Sequence, residues 1–208
     1  MTAALDSATN FCSTCGHAIT MRIPPGDNRL RACCDSCGAI HYVNPRMVVG
    51  TIPVWGERGG ERGGERVLLC RRAIEPRRNF WTLPAGFLET GETTAAGATR
   101  ETDEEAGARI VLGPLFTMLD VVHVNQVHLF YRAELIDTAF EPGEESLEVQ
   151  LFDEAGIPWE ELAFRTVSLT LQHFFEDRAR GHFDLHTGAI EWSPRARVAR
   201  GAPASAAP

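Results

Sequence analysis

Two short turns near the N-terminus constrain the fold of this chain more tightly than any other feature. Cys12-Ser-Thr-Cys15-Gly16 is echoed by Cys34-Asp-Ser-Cys37-Gly38, and in each the glycine leaves space for backbone to fold round the sulfurs. The span between the pairs suits paired zinc knuckles, with Cys12, Cys15, Cys34 and Cys37 as thiolate ligands. Four thiolates close a tetrahedral site, so zinc there would stabilise and not catalyse. Disulfides and an empty site are the competing readings, although five of the six cysteines lie within Cys12–Cys37 and no secretion signal accompanies them. Cys33 could substitute for Cys34, and His17 or His41 could replace a thiolate. Cys70, in an apolar run, reads as a buried small residue.

The cysteines organise what surrounds them. "AITMRI" and "RLRAC" flank the turn signal "PPGDN", and "AIHYV" follows the second turn, which predicts a small β ribbon over residues 11–44 after a flexible segment 1–10. Asn44-Pro45 is the expected boundary to a second domain, 45–190. There "MVVGTIPVW" and "RVLLCRR" read as buried strands, and the tetrad repeat "GERGGERGGER" between them reads as a floppy hairpin tip. Strand patterns recur at "ARIVLG", "PLFTMLDVVHV", "QVHLFYRAELI" and "LEVQLF". Helices are expected over Thr93–Ala106, with Thr93 available as N-cap and Gly107 as the stop, near "PWEEL", and over Thr166–Arg180. Strands interleaved with helices imply a layered α/β domain. Residues 191–208 have the composition of disorder.

With 208 residues and 44% hydrophobic composition the chain can bury a real core. A net charge of −8 argues against electrostatic capture of nucleic acid. The leading "MTAALDSATN" shows no secretory pattern and no run reaches membrane-spanning length, so a soluble, cytoplasmic protein without a membrane partner is expected.

Against that background "RETDEEAG", Arg100 to Gly107, packs four acids into five consecutive residues. On a helix each residue turns about 100°, which brings Glu101, Glu104 and Glu105 onto one face. A solvated face of this kind costs only about 0.2–0.5 kcal/mol per like-charge pair. Under partial burial two such charges 4 Å apart repel by about 4 kcal/mol at an effective dielectric near 20. A divalent cation would reverse that sign, and oxygen ligands suit Mg²⁺ or Mn²⁺.

Upstream, Gly86 is followed after five residues by Glu92, and after seven more by Arg100-Glu101, Glu104-Glu105 and Gly107. This spacing resembles the Nudix box, Gly-x5-Glu-x7-Arg-Glu-U-x-Glu-Glu-x-Gly-U, with U bulky and apolar. The charged and glycine positions all match, and Thr102 and Ala108 depart at the two U positions. The resemblance implies a Nudix α/β/α sandwich behind the ribbon. It also implies metal held by Glu101, Glu104 and Glu105 and by a backbone carbonyl at Gly86 or Ala85, with Glu145 or Glu148 as a further ligand. Arg100 would orient Glu92, its simpler role being a pair with Glu104 one turn on.

The implied chemistry is hydrolysis of a diphosphate by metal-activated water. Among nearby side chains Arg71, Arg72, Arg77 and Arg78 are candidates for phosphate, and Phe80, Trp81 and Phe87 for base stacking. His123, His128, His173, His182 and His186 receive no role, the last two lying in the strand-like "HFDLH".

The whole run, through "PGEESLEVQLFDEAGIPWEELAF", looks most like a zinc-ribbon Nudix group associated with ADP-ribose and FAD. The Ser-Gln-Pro-Trp-Pro-Phe-Pro signature of NADH pyrophosphatases is absent, as is the proline that ADP-ribose pyrophosphatases often carry past the box. NADH pyrophosphatase activity and a non-catalytic ligand sensor are the alternatives. Zinc ribbons also mediate dimerisation, so a homodimer is expected.

Overall fold

The computed structural model describes residues 10–56 and 64–191. The flexible N-terminus, most of the tetrad repeat and the C-terminal tail expected from sequence lie outside the described residues. The chain divides into two compact units, Met1–Pro45 and Arg46–Pro208.

In the first unit β1 (Ile19–Arg22), β2 (Arg31–Cys34) and β3 (Ile40–His41) form an antiparallel sheet in that order. The "PPGDN" turn closes because Gly26 takes φ 83°, a conformation that costs glycine little. Asp27 Oδ1 accepts the Asn28 N–H at 2.7 Å, and its Oδ2 accepts from Arg31 Nε at 2.8 Å.

The second unit is a mixed sheet between two helices. Its strands are β4 (Arg46–Trp55), β5 (Arg66–Arg72), β6 (Trp81–Thr82), β7 (Ala85–Phe87), β8 (Ile110–Val121), β9 (Gln126–Leu135), β10 (Ser146–Phe152) and β11 (His186–Ala189). The order is β10-β5-β4-β9-β8-β11, with β6 on β5 and β7 on β4. β4 runs parallel to β9 and β8 parallel to β11. β4 and β5 pair only at Val54–Val67 and Trp55–Arg66. Beyond that point β5 takes β6 as its partner, while β4 takes β7 through Val48–Phe87, Val49–Gly86 and Gly50–Ala85. The sheet splits there, and the split exposes the backbone of β7 to the helix above it.

That helix is α1 (Thr94–Ala106). Thr93 Oγ1 accepts the Ala96 N–H at 3.1 Å, and Gly107, at φ 57°, donates its N–H to Asp103 O at 2.7 Å, so both predicted ends are in place. α1 packs through Ala98 on Val49 and Leu129, and through Ala106 on Leu68 and Leu135. Thr102, where the resembled pattern has a bulky apolar residue, is fully buried. Its hydroxyl donates to Ala98 O at 2.8 Å and lies 2.6 Å from Thr51 Oγ1, which therefore donates to it. A polar departure on the helix is matched by a polar residue on the strand.

α2 (Arg165–Arg180) covers the other face. Val167, Leu171, Phe174 and Phe175 meet Ile52, Leu69, Phe116 and Phe130 in the largest core cluster, each such side chain contributing about 1.5–3 kcal/mol on burial. Of two local expectations one holds and one is corrected. The short helical stretch expected near "PWEEL" is present as a 3-10 turn, Trp159–Glu161. "HFDLH" is not one strand: His186 opens β11 and donates from Nε2 to the buried Asp177 at 2.8 Å, while His182 stays outside.

Candidate active site

The helical period brings Glu101 and Glu105 against the sheet as buried groups and leaves Glu104 exposed. Glu105 Oε2 accepts the Ala85 N–H at 3.1 Å. At Gly86 an added Cβ would lie 2.2 Å from Glu101 Oε2, so only a residue without a side chain lets that carboxylate rest on β7. Burial drives the Glu105 carboxyl up to about 8, the nearby Glu101 and Glu145 add to the rise, and the Ala85 N–H and Arg72 oppose it. Burial also raises Glu101, against the pull of Arg100. Burial thus disfavours the charged form of both carboxylates.

Arg100 is the guanidinium bonded directly to Glu101 and Glu104. It clamps Glu92 with two bonds, Nε to Oε2 at 3.1 Å and Nη2 to Oε1 at 2.8 Å. Its Nη1 donates to Glu101 Oε1 and to Glu104 Oε2, each at 2.8 Å, and its Nη2 also reaches Phe87 O at 3.2 Å. The two roles considered for Arg100 are thus filled at once. Glu92 in turn accepts the Glu89 N–H at 2.8 Å, and these donors lower its carboxyl pKa, Arg100 foremost.

Arg100, Glu101, Glu104 and Glu105 line a cavity of about 1080 Å³ together with Arg72, Arg77, Ala85, Gly86 and Phe87, whereas Glu92 stands behind Arg100 and does not line it. Arg72 is braced by Pro76 O at 2.9 Å and lies over the Phe164 ring. The remaining candidates go elsewhere. Arg71 donates to Asn79 O and pairs with Glu148 at 3.5 Å, because the two sit opposite one another across β5 and β10. Neither lines the cavity, and neither does Arg78, which is solvent-exposed.

Trp81 presents no face for stacking, since it is buried in the core edge-on to Phe152 at 4.9 Å. Phe80 lies under the Arg77 guanidinium and also misses the cavity. Phe87 does line it. The later acids that enter are Glu144 and Glu145 in place of Glu148. The turn Ser146 N–H to Gly143 O and the long-range bond Ala73 N–H to Glu145 O, at 2.8 Å, fix that loop.

A second wall escaped sequence reasoning. Val121, Val124, Gln126, His128, Phe130 and Ile190 line the same cavity, and His128 had been given no role. Its partner Thr166 lies 38 residues downstream on α2, so no local pattern announces the contact.

In the ribbon the four predicted sulfurs come together, all within 4.8 Å of one another. Cys12 and Cys37 Sγ are 3.7 Å apart and Cys15 and Cys34 Sγ 3.4 Å, close to the separation of about 3.8 Å that tetrahedral Zn–S bonds of about 2.3 Å impose. The donor set fits zinc. Cys33 turns its thiol toward Arg22 O, His17 meets the Cys15 carbonyl, and His41 Nε2 sits 3.3 Å from Cys12 Sγ as a neighbour of the cluster. Among the described residues this is the one group of metal-type side chains drawn so tightly together.

The split sheet between two helices and the carboxylate-lined cavity define the fold class, and comparison with known proteins gives the family. The chain belongs to the NUDIX family: the NUDIX domain model matches residues 44–172, and the zinc-ribbon model of the Nudix N-terminal region matches residues 10–43.

A crystal structure of a NUDIX hydrolase from Nitrosomonas europaea is 46% identical with a TM-score of 0.81, covering 87% of this chain and 98% of that one. The NAD-capped RNA hydrolase NudC of Deinococcus radiodurans is 38% identical over 48% of this chain and 32% of its own length. The ADP-ribose pyrophosphatase of Methanocaldococcus jannaschii is 27% identical over 48% of this chain and 60% of its own. The matches thus span about a third of the first curated relative and three fifths of the second. Among the described residues no helix is long and apolar enough to cross a membrane.

Proposed function

We propose that this protein hydrolyses the diphosphate bond of a nucleoside diphosphate linked to a second group, with ADP-ribose and FAD as the leading substrates. The observation that carries the reading is the pair of buried carboxylates, Glu101 and Glu105, facing a cavity, with Arg100 as the counter-charge of Glu101 and Arg72 the cation acting on Glu105. Hard oxygen donors on Glu101, Glu104 and Glu105, with Ala85 or Gly86 backbone beside them, fit Mg²⁺ or Mn²⁺. Such a cation, when bound, neutralises phosphate charge and makes a water more acidic.

The chain's own groups do the rest. Arg100 holds Glu92 and steadies Glu101 and Glu104, while Arg72 and Arg77 line the same space with guanidinium groups suited to phosphate oxygens. Water oxygen bonds to phosphorus, the bridging P–O bond breaks, and a nucleoside monophosphate and a second phosphorylated product leave. The cavity slightly exceeds the usual range of about 300–1,000 Å³ for ligand pockets, which suits a two-part substrate. All the box carboxylates are retained, which a pure sensor would not require.

The identity to NudC supports testing NADH beside the leading substrates. A panel of ADP-ribose, FAD, NADH, diadenosine polyphosphates and nucleoside triphosphates, each with Mg²⁺ or Mn²⁺, should show turnover that Glu105→Gln abolishes. Absence of turnover with every substrate would favour the sensor. A homodimer in the cytoplasm is part of the same reading, supported by exposed apolar side chains on the ribbon such as Phe11, Ile23 and Val43, and sedimentation would decide the oligomeric state.

A further inference from the structure

The cavity has two chemically different walls. One carries the carboxylates of α1, Glu144, Glu145 and the arginines; the other is formed by Val121, Val124, Phe130 and Ile190, with His128 and Gln126 as its polar members. Burial holds His128 down at about 4, so it is neutral at physiological pH. A phosphate gains nothing from an uncharged wall of this kind, whereas a flat ring buries apolar area against it.

The polar members are aimed by a chain of bonds. His128 Nδ1 lies 3.1 Å from Thr166 Oγ1, and Nε2 lies 2.9 Å from Gln126 Oε1. A neutral imidazole with its proton on Nε2 donates to the Gln126 oxygen and accepts the Thr166 hydroxyl at Nδ1. Gln126 is half-buried at the start of β9, in register with Val121 of β8 and Arg46 of β4. Its amide NH₂ has no partner among the described residues and borders the cavity. A donor fixed on a strand, with its oxygen already occupied, selects for an acceptor.

We propose that Gln126, oriented by His128 and Thr166, recognises the heteroaromatic ring of the substrate by donating from its side-chain amide to a ring nitrogen or carbonyl oxygen, the ring lying on the apolar wall. Gln126 is the specificity-determining contact and His128 a positioning residue. This deepens the diphosphate-hydrolase reading and rests on it for the substrate class, but the ring contact can be measured without hydrolysis.

The test is equilibrium binding of AMP, FMN and inorganic pyrophosphate, each with Mg²⁺, to the full chain and to Gln126→Leu, which conserves volume. AMP or FMN should bind the parent protein, and the variant should bind the same nucleotide about tenfold more weakly, as expected for one lost hydrogen bond, with pyrophosphate altered less than twofold. His128→Phe, which removes the brace, should reproduce the nucleotide defect in part. With a turned-over substrate, the Gln126→Leu loss should appear in KM and not in kcat.

Failure of both nucleotides to bind the parent protein, nucleotide binding unchanged in a folded Gln126→Leu, or equal losses for nucleotide and pyrophosphate would each overturn the proposal. Thermal melts of both variants identify a folding defect, and Gln126→Asn, which keeps the amide but shortens its reach, then serves as the replacement with the same expected loss. Ring binding without turnover of any substrate would leave the ring contact standing and refute the hydrolase reading.

Discussion

The ribbon and the cavity both gather anionic ligands, and they do so in opposite ways. Cys12, Cys15, Cys34 and Cys37 converge on one point within 4.8 Å, with their lone pairs turned inward. Glu101, Glu104 and Glu105 converge no further than the Arg100 guanidinium that bridges two of them, and they face open space. A closed cluster satisfies its metal entirely and can only hold the fold together; an open one leaves positions for water and substrate. The difference arises from what carries the ligands. The thiols sit on tight turns with left-handed glycines, Gly16 and Gly38, whereas the carboxylates sit on a rigid helix beside a strand that has left its usual partner.

Five experiments would break or sharpen this comparison. The largest effect belongs to the closed site. Structural zinc contributes about 10–16 kcal/mol in comparable small domains, so Cys34→Ser or a strong chelator should unfold the ribbon, seen as loss of zinc by metal analysis and of dispersed ribbon amide signals. A ribbon that stays folded without metal would make the two sites alike.

Next is Glu105→Gln, which should lower kcat by about 10²–10³-fold or more while leaving the zinc content intact. Arg100→Lys comes third. Lysine cannot clamp Glu92 bidentately, and loss of such a supporting group typically costs about 10–100-fold, read as kcat/KM. Calorimetry on the same variant should show weaker divalent-metal binding; tighter binding would mean that the guanidinium competes with the cation.

The fourth addresses the uncharged wall. His128 has a folded pKa of about 4, against about 6.5 when unfolded. Between these values the unfolded chain binds more protons, so stability is complete above pH 6.5 and falls as the pH drops toward 4, by about 3 kcal/mol. His128→Gln should flatten the dependence of Tm on pH in that window. An unchanged slope would place the imidazole in water.

The smallest effect concerns how α1 is seated. Thr102→Val leaves the buried Thr51 donor unpaired, at a cost of about 1–3 kcal/mol, and adding Thr51→Val should recover most of it. Denaturant unfolding of the two single variants and the double variant measures the coupling, and additive losses would sink the pairing.

Most of α1 was legible in the sequence: Thr93 and Gly107 as its ends, and the face shared by Glu101, Glu104 and Glu105. These follow from local chemistry and a fixed turn angle. The Cys-x-x-Cys-Gly pairs were legible for the same reason, although whether Cys33, His17 or His41 took part was not. The substrate side read poorly. Nearness to the box marks Arg71, and the resemblance marks Glu148, as site residues, whereas their register pairs them with each other away from the cavity. Trp81 looks like a stacking platform until Phe152 covers it.

By itself the sequence determined which residues could hold charge, metal and helix ends, because those properties belong to side chains a few residues apart. Tertiary structure decided which of them meet. The split between β4 and β5, the bond that brings Glu145 beside Ala73, and the line from Thr166 through His128 to Gln126 depend on strand register and helix packing across dozens of residues. No local pattern encodes those distances, since they are set by how the whole core closes.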